Sequence, residues 1–389
     1  MIHENVDLKN LFLIDKDVTF LNHGSFGSCP TPIFEEFQRY QKLLEFQPIS
    51  FLDEHIDQNI LSAQKALSAF INCDADDIVF FTNPTTAINE VMRSISLNKG
   101  DEILSSTHEY GALDKAWDFI SKKRGATHVK AVIPNPIPSK AEFIDAFVSA
   151  ITSRTKVIFI SHITSSTGLI FPIKEIIKIA QQQNILTIID GAHVPGHIPL
   201  NLTELDADIY TGTCHKWLLC PKGTSFLYVK KELQNQIEPL IVSWGYENPE
   251  FSRTPFQNSH LWQGTRDISL FLTIPKAIEF RDEYNWNDVS AGCRQMILDF
   301  RNKVLSNFET VPLFENEPDQ WLGQMYSFAI HNHIDECGLI KSQLIHEYNI
   351  EIPVFVWDGK LYIRISFNGY NSEDDLHRLL AVLPKIIST

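Results

Sequence analysis

The chain has no apolar stretch approaching the ~20 residues that a membrane-spanning helix needs, so no transmembrane segment is expected. Its start, MIHENVDLKN, lacks a basic region followed by an apolar one, so no secretory signal is expected either. Positive charge is scarce: 33 Lys and Arg stand against 48 Asp and Glu, a formal net charge of −15. With no basic stripe, that balance argues against a nucleic-acid or anionic-membrane surface. Cys29, Cys73, Cys214, Cys220, Cys293 and Cys337 show no paired spacing. They read as free thiols of a reducing, cytoplasmic compartment rather than a disulfide framework. HExxH and CxxC spacings are missing, so no metal centre is expected. Internal repeats and low-complexity segments are missing too. What remains is an ordinary globular composition, 44% hydrophobic and 21% charged over 389 residues, with ample chain for a large core.

Within that core, helical and strand patterns alternate. Apolar residues at helical spacing mark residues 31–47 and 59–71. Short apolar strands then alternate with helices: DIVFFT, EILSS, HVKAVIP, KVIFISH, ILTIID, DIYTGT and SFLYVK. Such alternation predicts an α/β fold, a mostly parallel sheet covered by helices on both faces. After about residue 262 the character changes to long helical stretches (268–284 and 289–307), then QMYSFAI, IPVFVW, KLYIRISF and a final helix from Glu373. That reads as a smaller α+β C-terminal domain. The expected division is an N-terminal arm (1–19) packing on the small domain, a large domain (20–262) and the small domain (263–389). Residues 238–264, rich in Pro and Gly, are expected to be a long irregular loop.

The most informative segment is 185–230. An apolar run delivers Asp190 at its end, and DIYTGT delivers Thr213, His215 and Lys216. A carboxylate and a lysine at the carboxyl ends of buried strands are costly unless something between them uses their charges. Taken singly, Asp190 reads equally well as a helix cap and Lys216 as a snorkelling surface residue. Taken together, they point to pyridoxal 5'-phosphate (PLP), whose ring nitrogen wants an anion and whose aldehyde wants an amine. Thr85 and Thr86, at a predicted helix start, offer hydroxyls and N–H groups to its phosphate, whereas Pro84 has no N–H. Thr213 and His215 offer further contacts.

DGAHVPG followed by TGTCHKW resembles the class V aminotransferase family of PLP-dependent enzymes. FLNHGSFGSCP, STHEYGAL, WQGTRD and YIRISFNGYN are similar, in the same order, to its isopenicillin N epimerase-like and hercynylcysteine sulfoxide lyase-like branch. The resemblance implies the aspartate aminotransferase-like fold, a large PLP-binding domain with a smaller C-terminal one. It implies that Lys216 carries the cofactor and moves the Cα proton, and that Asp190 pairs with the ring nitrogen. His193 matches the family position at the cofactor's phenolic oxygen, Tyr110 the stacking position, and Ser165 a further cofactor contact. Arg364 matches the clamp for a substrate α-carboxylate, a role suited to a planar bidentate guanidinium. Asn22 and His23 are expected to line the substrate entrance. Gly264 and Thr265 match a pair that reaches the phosphate from a partner subunit, which implies a homodimer with shared active sites.

The family's cysteine desulfurases carry a nucleophilic thiol on a loop shortly before the carboxylate-binding arginine. No cysteine lies between His346 and Arg364 here, the nearest being Cys337, so a desulfurase is not expected. The resemblance leaves epimerisation of an amino acid or its derivative first, C–S β-elimination second and transamination third. All begin by removing a Cα proton. A non-catalytic PLP-fold binding protein is the alternative of another class, and an intact Lys216, Asp190 and Arg364 argue against it.

Overall fold

The computed structural model describes residues 7–248, 253–331 and 334–387. Residues 1–6 of the expected arm and 249–252 of the expected loop lie outside them. The described part of the arm leads to a two-residue strand, β1 (Thr19–Phe20). Its Phe12 packs edge-on to Tyr370 at 4.9 Å and near Trp286 at 6.2 Å, both in the C-terminal region.

The large sheet is built from β2 (Ile78–Phe81), β3 (Glu102–Ser106), β4 (Thr127–Ala131), β5 (Thr155–Ser161), β6 (Leu186–Gly191), β7 (Ile209–Thr213) and β8 (Ser225–Val229). Its order is β2-β8-β7-β6-β5-β3-β4. Only β8 runs against its neighbours, so the sheet is mostly parallel, as expected. The continuous apolar run of β6 follows from burial on both faces. Ile188 and Ile189 point to opposite faces and both are fully buried, each stabilising the fold by about 1.5–3 kcal/mol.

The C-terminal part carries β9 (Met325–His331), β10 (Ile350–Glu351), β11 (Val354–Trp357) and β12 (Lys360–Ser366). Strand β12 lies between β11 and β9, antiparallel to both, and β10 pairs with β1. The 22-residue helix Trp286–Asn307 and the helix Glu373–Ile387 accompany this sheet. Isolated bridges Leu169↔Leu322 and Asn22↔Ser366 tie it to the large part. Among the described residues no helix is long and apolar enough to cross a membrane.

One expectation is corrected. The stretch 238–264 is not irregular throughout, because Pro255–Leu261 forms a helix. Thr254 caps it by accepting from Gln257 N–H, and Pro255 suits its first turn. Its buried His260 meets the buried carboxylate of Glu90 at 2.6 Å.

Candidate active site

Beyond the carboxyl ends of β5, β6 and β7 lies a cavity of ≈ 620 Å³, where ligands of open parallel sheets bind. Register sets Ser161 beside Asp190 and Asp190 beside Thr211. Asp190, His193, Thr213, His215, Lys216, Tyr110 and Arg364 all line this cavity. The two charges read from the 185–230 segment therefore share one space with an arginine from β12.

Lys216 sits in a turn after β7, and its backbone is held on several sides. His23 lies 3.1 Å from the Lys216 carbonyl, and Arg281 donates to the Trp217 carbonyl at 2.9 Å. Glycine is required where two loops press on this turn. At Gly27 (φ +69) a Cβ would sit 2.1 Å from the His215 carbonyl oxygen; at Gly196 (φ +84) it would sit 2.4 Å from that of Trp217. The side chain is equally constrained, with Nζ 3.1 Å from His193 Nε2. Burial, reinforced by the Arg364 charge and opposed by Asp190, pushes the amine down to about 7.

Burial also pushes His193 well below its ordinary value, with Lys216 and Arg364 adding to the effect, so its ring is neutral. Trp217 Nε1 can only donate, and it meets His193 Nδ1 at 3.4 Å. That bond assigns the proton to Nε2, which then donates to a neutral Lys216 amine. Asp190 is pushed up by burial, against the pull of Ala192 N–H and Lys216. Its Oδ1 accepts from Ala192 N–H at 2.9 Å, and among the described residues Oδ2 has no hydrogen-bond partner.

Arg364 is buried and reaches into the cavity with a guanidinium already oriented. Nη1 donates to the Ser165 carbonyl at 2.5 Å and Nη2 to Ser25 Oγ at 2.9 Å, while Nε is buried with no partner. Ser25 in turn donates to Asn22 Oδ1. At the helix Pro84–Ser94, Asn83 caps the first turn by accepting from both Thr86 N–H (2.9 Å) and Thr86 Oγ1 (3.1 Å). Thr86 is thus spent on the cap, whereas among the described residues Thr85 N–H and hydroxyl have no hydrogen-bond partner. Thr213 Oγ1 is buried without a partner, and His215 Nδ1 lies 3.0 Å from the Thr224 carbonyl.

Some expected residues lie elsewhere. His23 does not line an entrance: it is fully buried, held by Tyr370 Oη at 2.9 Å and Asn368 Nδ2 at 2.7 Å. Its ring points at the Lys216 backbone because the His23–Phe26 turn packs against it. Asn22 stands behind Ser25, and it is Gly24, Ser25 and Phe26 that line the cavity. Gly264 and Thr265 are not among the cavity's lining residues in the single chain, and Thr265 is exposed. Cys337 is not among them either; its Sγ donates to the Val354 carbonyl at 3.5 Å.

Ser25, Asn83 and Glu109 were missed. Buried Glu109 accepts from Ser106 Oγ (2.5 Å), Ser161 Oγ (2.5 Å) and Ser161 N–H (2.9 Å). Burial, with repulsion from Asp190, holds its carboxyl up at about 7. The signal available was its position in STHEYG, directly before Tyr110.

These leftovers fit PLP: an unpartnered Asp190 Oδ2 for a ring N–H, a neutral amine for the aldehyde, and Thr85 and Thr213 donors for the phosphate. The model for aminotransferase class-V proteins matches residues 30–379. The chain belongs to the aminotransferase class-V family. It is therefore a PLP-dependent enzyme with the fold expected from its sequence. It is 31% identical to an isopenicillin N epimerase of Streptomyces clavuligerus, covering 97% of each chain. It is 24% identical to a hercynylcysteine sulfoxide lyase of Schizosaccharomyces pombe, covering 98% of this chain and 97% of the other. A solved structure of a C-DES mutant, with glycine covalently linked to its PLP cofactor, matches at TM-score 0.79 and 20% identity. That match covers 97% of this chain and 98% of the other.

Proposed function

We propose that this class-V enzyme inverts the Cα centre of an amino acid or amino-acid derivative, as an epimerase. The observation that carries the Cα-proton step is the convergence of a lysine amine lowered to about 7 and a buried guanidinium in one cavity, and the similarity to an isopenicillin N epimerase favours inversion. PLP, when bound, supplies the electron sink that makes a Cα proton removable. Asp190 would hold the proton of its ring nitrogen, and Thr85, Thr213 and His215 would hold its phosphate. Arg364 would receive the substrate carboxylate. Its two Nη groups are tied back to Ser165 and Ser25, so little side-chain freedom is lost on binding.

Lys216 would take the Cα proton, because a neutral amine at neutral pH is a competent base. His193 would keep that amine oriented. Inversion also needs a proton delivered from a second group. Tyr110 lines the cavity and is 44% exposed. The similarity to an isopenicillin N epimerase along 97% of both chains supports this reading.

A second reading, C–S β-elimination, is favoured by the hercynylcysteine sulfoxide lyase relative and by the fact that Lys216 alone would suffice for it. Incubation of the holoenzyme with amino acids and cysteine conjugates in deuterated water separates the two. Deuterium at Cα with inversion is the expected result. Release of pyruvate or ammonia without inversion would favour elimination and remove the epimerase.

A further inference from the structure

A second cavity, of ≈ 630 Å³, shares no lining residue with the first. Its walls come from the 196–200 loop after β6, the helices Ile274–Glu283 and Trp286–Asn307, and the segment leading into β9. Arg281 is its dominant charge. The residue is 6% exposed and donates one hydrogen bond to the Trp217 carbonyl at 2.9 Å. Among the described residues no carboxylate lies within ion-pair distance of it. Asp282, next in the chain, is exposed. The acid on the wall, Asp319, is paired with Arg294 at 3.2 Å. A buried guanidinium with no ion pair, whose nearest charge is the exposed Asp282 beside it in the chain, is costly, and the same wall holds two more unmet groups. Gln324 is 1% exposed, and its Oε1 is buried without a partner although its N–H and Nε2 are both used. Ser290 Oγ is buried without a partner as well.

We propose that this cavity is a second ligand site, taking a small carboxylate that also carries a hydroxyl or amino donor. The carboxylate faces Arg281, which matches it as a planar fork, and the donor meets Gln324 Oε1. The site is wired to Lys216. Arg281 holds the Trp217 carbonyl, His197 stacks on the Trp217 ring at 4.0 Å and accepts Gln324 N–H, and Trp217 Nε1 meets His193. A ligand that draws Arg281 towards itself therefore loosens the turn that carries the catalytic amine.

Glycerate is a suitable probe, since it has no amine to react with PLP. Titration calorimetry is run on the Arg364→Ala holoenzyme, which lacks the other carboxylate clamp. One glycerate should bind per chain. Arg281→Lys should weaken it about tenfold, the loss of one charge-assisted hydrogen bond. Ala291→Asp, which sets a carboxylate on an exposed part of the wall, should abolish it. Propionate, with no donor, should bind more weakly than glycerate. No glycerate binding, binding indifferent to Ala291→Asp, or binding of inorganic phosphate in its place would each overturn the proposal.

Discussion

Two cavities of nearly equal volume each bury a cation: Lys216 lines the first, and Arg281, which holds the neighbouring Trp217 carbonyl, lines the second. In the first, burial brings the Lys216 amine down to about 7, so a large share of it is neutral at neutral pH. In the second, burial lowers Arg281 only to about 10, and a guanidinium stays charged. One cavity thereby gains a base beside its own guanidinium, Arg364, while the other holds only charges that stay in place. Burial of a cation makes catalysis or binding according to which side chain is buried.

The largest effect expected is at the base. Lys216→Ala should lower Cα-hydrogen exchange by ~10⁴-fold; exchange within tenfold of wild type would move the base elsewhere. Next comes the clamp. Arg364→Ala should weaken amino-acid binding by about 10²-fold, ~3 kcal/mol for a buried charged contact, while PLP stays bound. Unchanged affinity would remove it from that role.

Backbone packing behind Lys216 comes third. Gly27→Ala should destabilise the protein by about 1–3 kcal/mol, because its Cβ meets the His215 carbonyl at 2.1 Å. Gly264→Ala, with nothing within 4 Å at φ +91, should cost only about 1 kcal/mol. Urea titration of both variants tests the difference.

The smallest effect is a shift of midpoint. A lowered pKa leaves the amine neutral above it, so capture of PLP by the apoprotein should accelerate as pH rises. The half-maximum should fall near pH 7, from the Lys216 value. A rise continuing to about pH 10 would mark an ordinary lysine.

Most of the fold was legible. EILSS was read as a strand over the residues that β3 occupies, because strands buried on both faces are short apolar runs bounded by polar residues. Asp190 and Lys216 were legible because a charge at the end of such a run stands out. The helix Pro255–Leu261 was hidden by the Pro and Gly around it, although Thr254-Pro255 is a start signal. His23 was misplaced because nothing in LNHGSFG shows which way a turn faces. Its partners Tyr370 and Asn368 are 347 and 345 residues away in the chain. Arg281 could not be singled out either. A helical arginine is unremarkable until three-dimensional packing buries it without an ion pair.

The central claim is that the Lys216 amine is the one that meets the cofactor. Borohydride reduction of the holoenzyme, followed by peptide mapping, tests it directly. The expected product is a single pyridoxyl-modified peptide containing Lys216, lost in Lys216→Ala. Modification of any other lysine in the wild-type protein would contradict the account.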